Sequence, residues 1–257
     1  MKKTLFFAVL LAAAPAAYCA QSEVKTFPAA GLKKIYVDTG AGSITVDGGA
    51  KGEVRAEAIG DDLGKCAITM EVKGSELVLK AEDSEAAKAA KKGFWRSLFS
   101  GGKADLGKGC GAGFKVSAPA ALSVKADTGA GSISVSGMTG ELDADTGAGS
   151  ISGSGCLAAL KADTGAGTVR MDGLCGPAEA DTGAGSIELS WAKAPSSGRV
   201  KADAGTGSIT LVFPADASLD VKADAGIGKA VNEFGSGGRL KVLADSGVGS
   251  ISVLKAK

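Results

Sequence analysis

Five times the chain carries Asp-Thr-Gly, the triplet in which aspartic proteases hold a catalytic carboxylate, beginning at Asp38, Asp127, Asp145, Asp163 and Asp181. That chemistry needs two aspartates converging on one water, with environments that push their pKa values apart. Here the triplets form a linear array, each followed by Ala-Gly, and periodicity accounts for them without catalysis. A row of aspartates at fixed spacing could instead gather divalent cations or a basic surface, yet calcium sites combine several oxygen ligands per ion and each repeat offers one carboxylate. The aspartates have a second reading as turn formers that accept hydrogen bonds from the Gly-x-Gly backbone following them. Outward acid pairs, Asp143 with Asp145 or Asp163 with Glu179, have the residue types for glycoside hydrolysis. Against that chemistry, the repeats offer only Trp191, Phe213 and Phe234 as aromatic platforms.

Histidine is absent from the whole chain. Ser-His-Asp and Cys-His catalysis are therefore excluded, together with the commonest zinc ligand. Beyond residue 20 the cysteines are Cys66, Cys110, Cys156 and Cys175, an even number with no CxxC or zinc spacing. Cys156 and Cys175 follow their repeat aspartates by 11 and 12 residues. That places them side by side on adjacent repeats, close enough to bridge. Cys66 with Cys110 is then the remaining candidate pair. The sequence assigns no catalytic residue, no cofactor and no metal ligand.

The elements that carry these residues follow from the repeat. Aligned on aspartate, it reads Asp38, Asp127, Asp145, Asp163, Asp181, Asp203, Asp224 and Asp245, with spacings of 18, 18, 18, 22, 21 and 21 from Asp127 onward. Six residues later stand Ile44, Ile133, Ile151, Val169, Ile187, Ile209, Ala230 and Ile251. Two further on come Val46, Val135, Gly153, Met171, Leu189, Leu211, Asn232 and Val253. Alternate residues of a strand share a face, so both columns point inward. Before the aspartate, Val124, Leu142, Leu160, Ala178, Val200, Val221 and Val242 form another inward column, followed by an alanine column from Ala126 to Ala244. The two inward parities disagree across Gly-x-Gly, so the chain turns a corner there, and a second turn falls near Gly137, Gly155 and Gly173. Two short strands and two turns per unit predict an all-β fold, a parallel β-solenoid of 18–22-residue coils stacked roughly 4.8 Å apart. In the outward column two residues before the aspartate, Lys125, Asp143, Lys161, Glu179 and Lys201 alternate in sign, as an in-register stack favours.

The repeat is interrupted at 83–113. Asp83 caps a predicted short helix through Ser84 to Phe99, which gathers Phe94, Trp95, Leu98 and Phe99. This helical insertion either covers the early coils or presents those four residues to a partner or membrane surface, aided by Lys88, Lys91, Lys92 and Arg96.

Residues 1–20 read as a secretory signal peptide: Lys2 and Lys3, the apolar run from Leu5 to Ala14, then small residues up to Ala20. Lipidation at Cys19 is the weaker reading, because Tyr18 stands where a small residue belongs. Without Lys2 and Lys3 there remain 27 basic against 28 acidic residues, a net charge of about −1. Nothing in that balance directs the chain to nucleic acid, and no later segment is long and apolar enough for a transmembrane helix. The division is then signal peptide 1–20, N-terminal coils 21–82, insertion 83–113 and main repeats 114–257.

The run FKVSAPAALSVKADTGAGSISVSG from Phe114, with the stretch from Glu23 to Glu82, resembles the bacterial "putative adhesin" family of secreted β-strand-repeat domains. The shared features are an apolar-Pro-small segment before the repeats, here Val116 to Ala120, and serial Thr-Gly-x-Gly-x-Ile units. The resemblance implies a right-handed β-solenoid at the cell envelope and transfers no catalytic residues. The insertion and the four cysteines depart from the family pattern. The expected function is that of a secreted, non-enzymatic adhesin or envelope scaffold, periplasmic or at the cell surface, meeting an envelope protein, glycan or matrix surface. Its rivals are a periplasmic regulator docking through Phe94, Trp95, Leu98 and Phe99, and a carbohydrate-processing enzyme.

Overall fold

The computed structural model describes residues 21–85 and 110–257, so the predicted signal peptide and, beyond its first two residues, the predicted helix with its aromatics lie outside the described residues. The described part is all-β: twenty-one strands and one 3-10 turn at Leu63–Lys65, arranged in two large, mostly parallel sheets. The early strands are β1 (Gln21–Pro28), β2 (Lys34–Thr39), β3 (Ile44–Asp47), β4 (Glu53–Gly60), β5 (Cys66–Lys73), β6 (Glu76–Asp83) and β7 (Gly113–Ser117). Seven strand pairs follow. They are β8 (Ser123–Ala130) with β9 (Ile133–Ser136), β10 (Glu141–Ala148) with β11 (Ile151–Ser154), β12 (Ala159–Ala166) with β13 (Val169–Leu174), and β14 (Ala178–Ala184) with β15 (Ile187–Trp191). The last three are β16 (Gly198–Thr206) with β17 (Ile209–Phe213), β18 (Leu219–Ile227) with β19 (Ala230–Asn232), and β20 (Leu240–Val248) with β21 (Ile251–Lys255).

Each repeat gives its Ala-Asp-Thr strand to one sheet and its Ile-x-Val strand to the other. Pairing between repeats is parallel and in register, Ala126 with Ala144 with Ala162 with Ala180 and Ile133 with Ile151 with Val169 with Ile187, broken by one bulge in β13 between Met171 and Leu174. The inward columns meet in one core: Ile44, Ile133, Ile151, Val169, Ile187, Ile209 and Ile251 are fully buried, facing Val124, Leu142, Leu160 and Val200. Burying each such side chain stabilises by roughly 1.5–3 kcal/mol, which lets a two-layer stack stand without a thick interior.

The glycine corner is set by backbone approach. Gly207 has φ 145°, and a Cβ there would run into the carbonyl oxygen of Gly185 on the neighbouring repeat. The same contact recurs repeat by repeat, so the corner admits no side chain.

Spatial order departs from chain order at both ends. The Ala-Asp-Thr sheet runs β18-β20-β16-β14-β12-β10-β8-β2-β6-β5, and its partner runs β1-β4-β7-β3-β9-β11-β13-β15-β17-β21-β19. The last repeat of the sequence, β20 and β21, is thus inserted between the two repeats before it. Side chains explain the exchange. The inward positions of β21 are Ile251 and Val253, both fully buried, whereas those of β19 are Ala230 and Asn232, both exposed. The repeat with apolar bulk occupies the covered slot and the repeat without it forms the end. At the opposite end the first repeat lies between β8/β9 and β6/β7, and beyond these the strands β4, β1 and β5 pair antiparallel.

Candidate functional site

The aspartates stand in one unbroken row on the outer face of the Ala-Asp-Thr sheet. Register places Asp38, Asp127, Asp145, Asp163, Asp181, Asp203, Asp245 and Asp224 side by side in that spatial order. At strand spacing of roughly 4.8 Å this row of eight extends about 34 Å. At one end it meets Lys80, whose Nζ lies 3.4 Å from Asp38 and 5.3 Å from the centre of the Tyr36 ring.

A mixed-charge row runs alongside: Tyr36, Lys125, Asp143, Lys161, Glu179, Lys201, Leu243 and Lys222. Its alternating stretch is in register, with Lys125 Nζ 3.2 Å from Asp143 and Lys201 Nζ 3.9 Å from Glu179. The lysines also reach across to the aspartate row, Lys125 to Asp127 at 3.6 Å and Lys201 to Asp203 at 2.6 Å. Among the described residues, Asp145, Asp163, Asp181, Asp245 and Asp224 take no ion pair or side-chain hydrogen bond.

Protonation equilibria record burial first and the neighbouring charges second. Burial, reinforced by Asp163 and Asp203 on either side, raises the pKa of Asp181. Asp127 is raised by burial, opposed by Lys125 and by the hydroxyl of Tyr36. Burial and the hydrogen bond to Asp38, 3.0 Å from its hydroxyl, raise the Tyr36 phenol.

The turn-forming role expected of the aspartates falls instead to the residue after them. Thr128, Thr146, Thr164 and Thr182 point inward and donate their hydroxyls to the second corner-glycine carbonyl of the neighbouring repeat, at 2.9, 2.9, 2.8 and 3.1 Å. Ser246 makes the same bond to Gly207 at 2.8 Å. Among the described residues no side-chain hydrogen bond joins an aspartate of the row to the Gly-x-Gly backbone, and the carboxylates face outward. The sequence signal for this division was the opposite parity of Asp and Thr along the strand.

The acid pairs singled out for glycoside chemistry sit in this lattice. Asp143 is paired with Lys125, and Glu179 shares a shallow depression of about 270 Å³ with Arg199 and Lys201. Among the described residues no three acidic or cysteine side chains converge as metal ligands. Trp191 and Phe213 are buried and stacked at 4.2 Å, with Trp191 Nε1 donating to Gly176 O at 2.9 Å, and Phe234 meets Phe213 edge-on at 6.2 Å. Trp191 and Phe213 pack the core near the C-terminal end, and the partly buried Phe234 packs against it.

Cys156 and Cys175 form a disulfide across adjacent repeats, Cα atoms 4.8 Å apart. Cys66 and Cys110 form the other, Cα atoms 4.9 Å apart, joining the start of β5 to the approach to β7. The Cys110 N–H donates to Asp83 Oδ1 at 2.6 Å, so the two ends of the interrupting segment are held together at its base. Phe94, Trp95, Leu98 and Phe99 lie outside the described residues. No helix among the described residues is long and apolar enough to cross a membrane.

No known family profile matches the chain, and no curated protein matches it. Among solved structures it is similar to a "putative cell adhesion protein" from Clostridium sporogenes, at 15% identity and a TM-score of 0.43, covering 92% of this chain and 100% of that one. It is also similar to a "putative adhesin" from Bacteroides fragilis, at 12% identity and a TM-score of 0.41, covering 91% and 97%. A third, a "putative adhesin" from Parabacteroides distasonis, is 12% identical with a TM-score of 0.37, covering 92% and 97%.

Proposed function

We propose that this chain is a secreted, non-enzymatic β-solenoid that serves as an adhesin or envelope interaction scaffold. The observation that carries the reading is the in-register row of eight aspartates beside a row of alternating charge, five of its carboxylates free of protein partners. A rigid surface of equally spaced, unsatisfied groups suits many weak contacts with an extended or repeating partner, where avidity replaces a single tight site. In this reading residues 1–20 direct export across the inner membrane, 21–82 begin the stack, 83–113 interrupt it and 114–257 build the main surface. The mature protein works in the periplasm or at the cell surface, on an envelope protein, a glycan or a matrix surface.

The test is a glycan and matrix-protein binding array with the purified chain beside a triple Asp145→Asn, Asp163→Asn, Asp181→Asn variant. Binding that weakens in the triple variant while its folding is unchanged supports the reading. An empty array, or binding indifferent to the three carboxylates, removes it. Deleting Phe94 to Phe99 in the same array asks whether the aromatic segment makes the contact instead.

A further inference from the structure

The two ends of the stack are finished differently. At the N-terminal end the outermost strands β1 and β5 run antiparallel to their neighbours and carry the ion pairs Glu23–Lys25 and Glu71–Lys73 at 3.2 and 2.8 Å. Charged, reversed edge strands of this kind discourage further pairing. At the C-terminal end the edge strand is β18, parallel to β20 and nine residues long, LDVKADAGI. Its inward residues Val221, Ala223 and Ala225 are only half-buried, whereas their register partners Val242, Ala244 and Ser246 are buried. Ile227 and Val231 of the same repeat are 70% and 49% exposed.

The open hydrogen-bonding groups of β18 can be assigned. Leu240 turns its N–H toward β18, reaching Ser218 O at 3.3 Å, so in the parallel ladder the even-numbered β18 residues face β20. The odd-numbered residues therefore hold their backbone groups outward. Of these, the Leu219 carbonyl already accepts from Gly238 at 3.1 Å, which leaves Val221, Ala223 and Ala225 open among the described residues.

That open stretch is symmetric about Ala223 in its chemistry. We propose that it pairs antiparallel with the same strand of a second copy of this chain, across a two-fold axis at Ala223. Val221 then lies opposite the partner's Ala225, and Ala223 opposite its own counterpart, as hydrogen-bonded pairs. Lys222 lies opposite the partner's Asp224, and Asp224 opposite the partner's Lys222, as the closer non-hydrogen-bonded pairs. Opposite charges so placed favour this register, and a shift of two residues that sets Lys222 against Lys222 is disfavoured. The open edge of the Ala-Asp-Thr sheet is paired in the same step, and the isologous contact closes on itself there. The pairing also gives the aspartate row a lysine at its open end, as Lys80 does at the other.

The experiment is a sedimentation-velocity concentration series on the purified chain. The wild type is expected to show a reversible monomer–dimer equilibrium with no larger species. Lys222→Asp and Asp224→Lys, each of which sets like charges in opposition across the axis, are expected to raise the dimer Kd about tenfold or more. The double variant Lys222→Asp with Asp224→Lys restores opposite pairs and is expected to recover dimerisation. Both side chains are exposed, so at a concentration below the dimer Kd the single variants should retain the wild-type melting temperature. Ala223→Pro, which removes a central outward N–H, provides an independent backbone check. A wild type that stays monomeric, one that grows into longer assemblies, single variants that dimerise unchanged, or a double variant that fails to recover would each overturn the proposal.

Discussion

The Thr164 hydroxyl lies 2.8 Å from the carbonyl oxygen of Gly149 on the neighbouring repeat, and the same bond recurs along the stack. Each bond satisfies a corner carbonyl inside the fold, where an unpaired acceptor is costly. Thr164→Val keeps the shape and removes the donor, so it is expected to cost about 1–2 kcal/mol. Thr164→Ser should lose less, since Ser246 makes the bond with a serine hydroxyl. Urea denaturation reads both; an unchanged midpoint for the valine variant would show that the hydroxyl row adds no stability.

Gly207→Ala is expected to be among the most damaging single changes. It places a methyl group against the Gly185 carbonyl at a residue with φ 145°, and neither backbone can move without breaking register on both sides. The loss should be about 3 kcal/mol or more, comparable to the larger core truncations. Soluble yield and melting temperature against a Gly235→Ala control, where the added carbon has open space, separate the corner from a general glycine effect.

Burial of Asp181 and Asp127, with the charges beside them second, makes stability depend on pH in a defined direction. The folded-state pKa of Asp181 is raised, so its favourable contribution is complete below the unfolded carboxylate pKa and is lost as pH rises through the folded value. Lowering the pH from neutral toward that range is therefore expected to stabilise the fold through Asp181 and Asp127. Asp181→Asn should raise stability at pH 7 by about 0.5–1 kcal/mol and flatten the pH dependence. Thermal melts between pH 4 and 7 provide the comparison, and a destabilised variant at neutral pH would contradict the assignment.

The disulfide between Cys156 and Cys175 spans 19 residues. Cross-linking a loop of that length restricts the unfolded chain by roughly 3 kcal/mol in the entropic account. Cys156→Ser with Cys175→Ser is expected to lower the unfolding free energy by about that amount, read from a urea titration, and to abolish the effect of reductant on this part of the fold. A double variant as stable as the parent would mean that register contacts alone fix the turn.

The strand columns were legible because the period is short and chemically plain: Ile and Val six and eight residues after aspartate can share a face only on a strand, and the parity break across Gly-x-Gly locates the corner. Repeat order was not legible. Eight nearly identical edges pair equally well with one another, so periodicity says that repeats stack and leaves open which lies beside which. The only clue was Ala230 and Asn232 standing where other repeats carry Ile and Val, a composition suited to an uncovered end. The antiparallel strands β1, β4 and β5 fell outside the repeat and had no such pattern to identify them. The turn role that the sequence suggests for aspartate belongs to threonine, because both stand beside the same glycines and only the faces they occupy tell them apart.

Inserting β20 and β21 between repeats that precede them in the chain has a consequence for folding. A repeat stack that assembled in chain order would lengthen at its free end, one unit after another. Here the slot beside β16 and β17 is filled by strands that follow β18 and β19 in sequence. β18 and β19 reach their neighbours only when β20 and β21 are in place, so these four strands close on the stack as one cooperative unit.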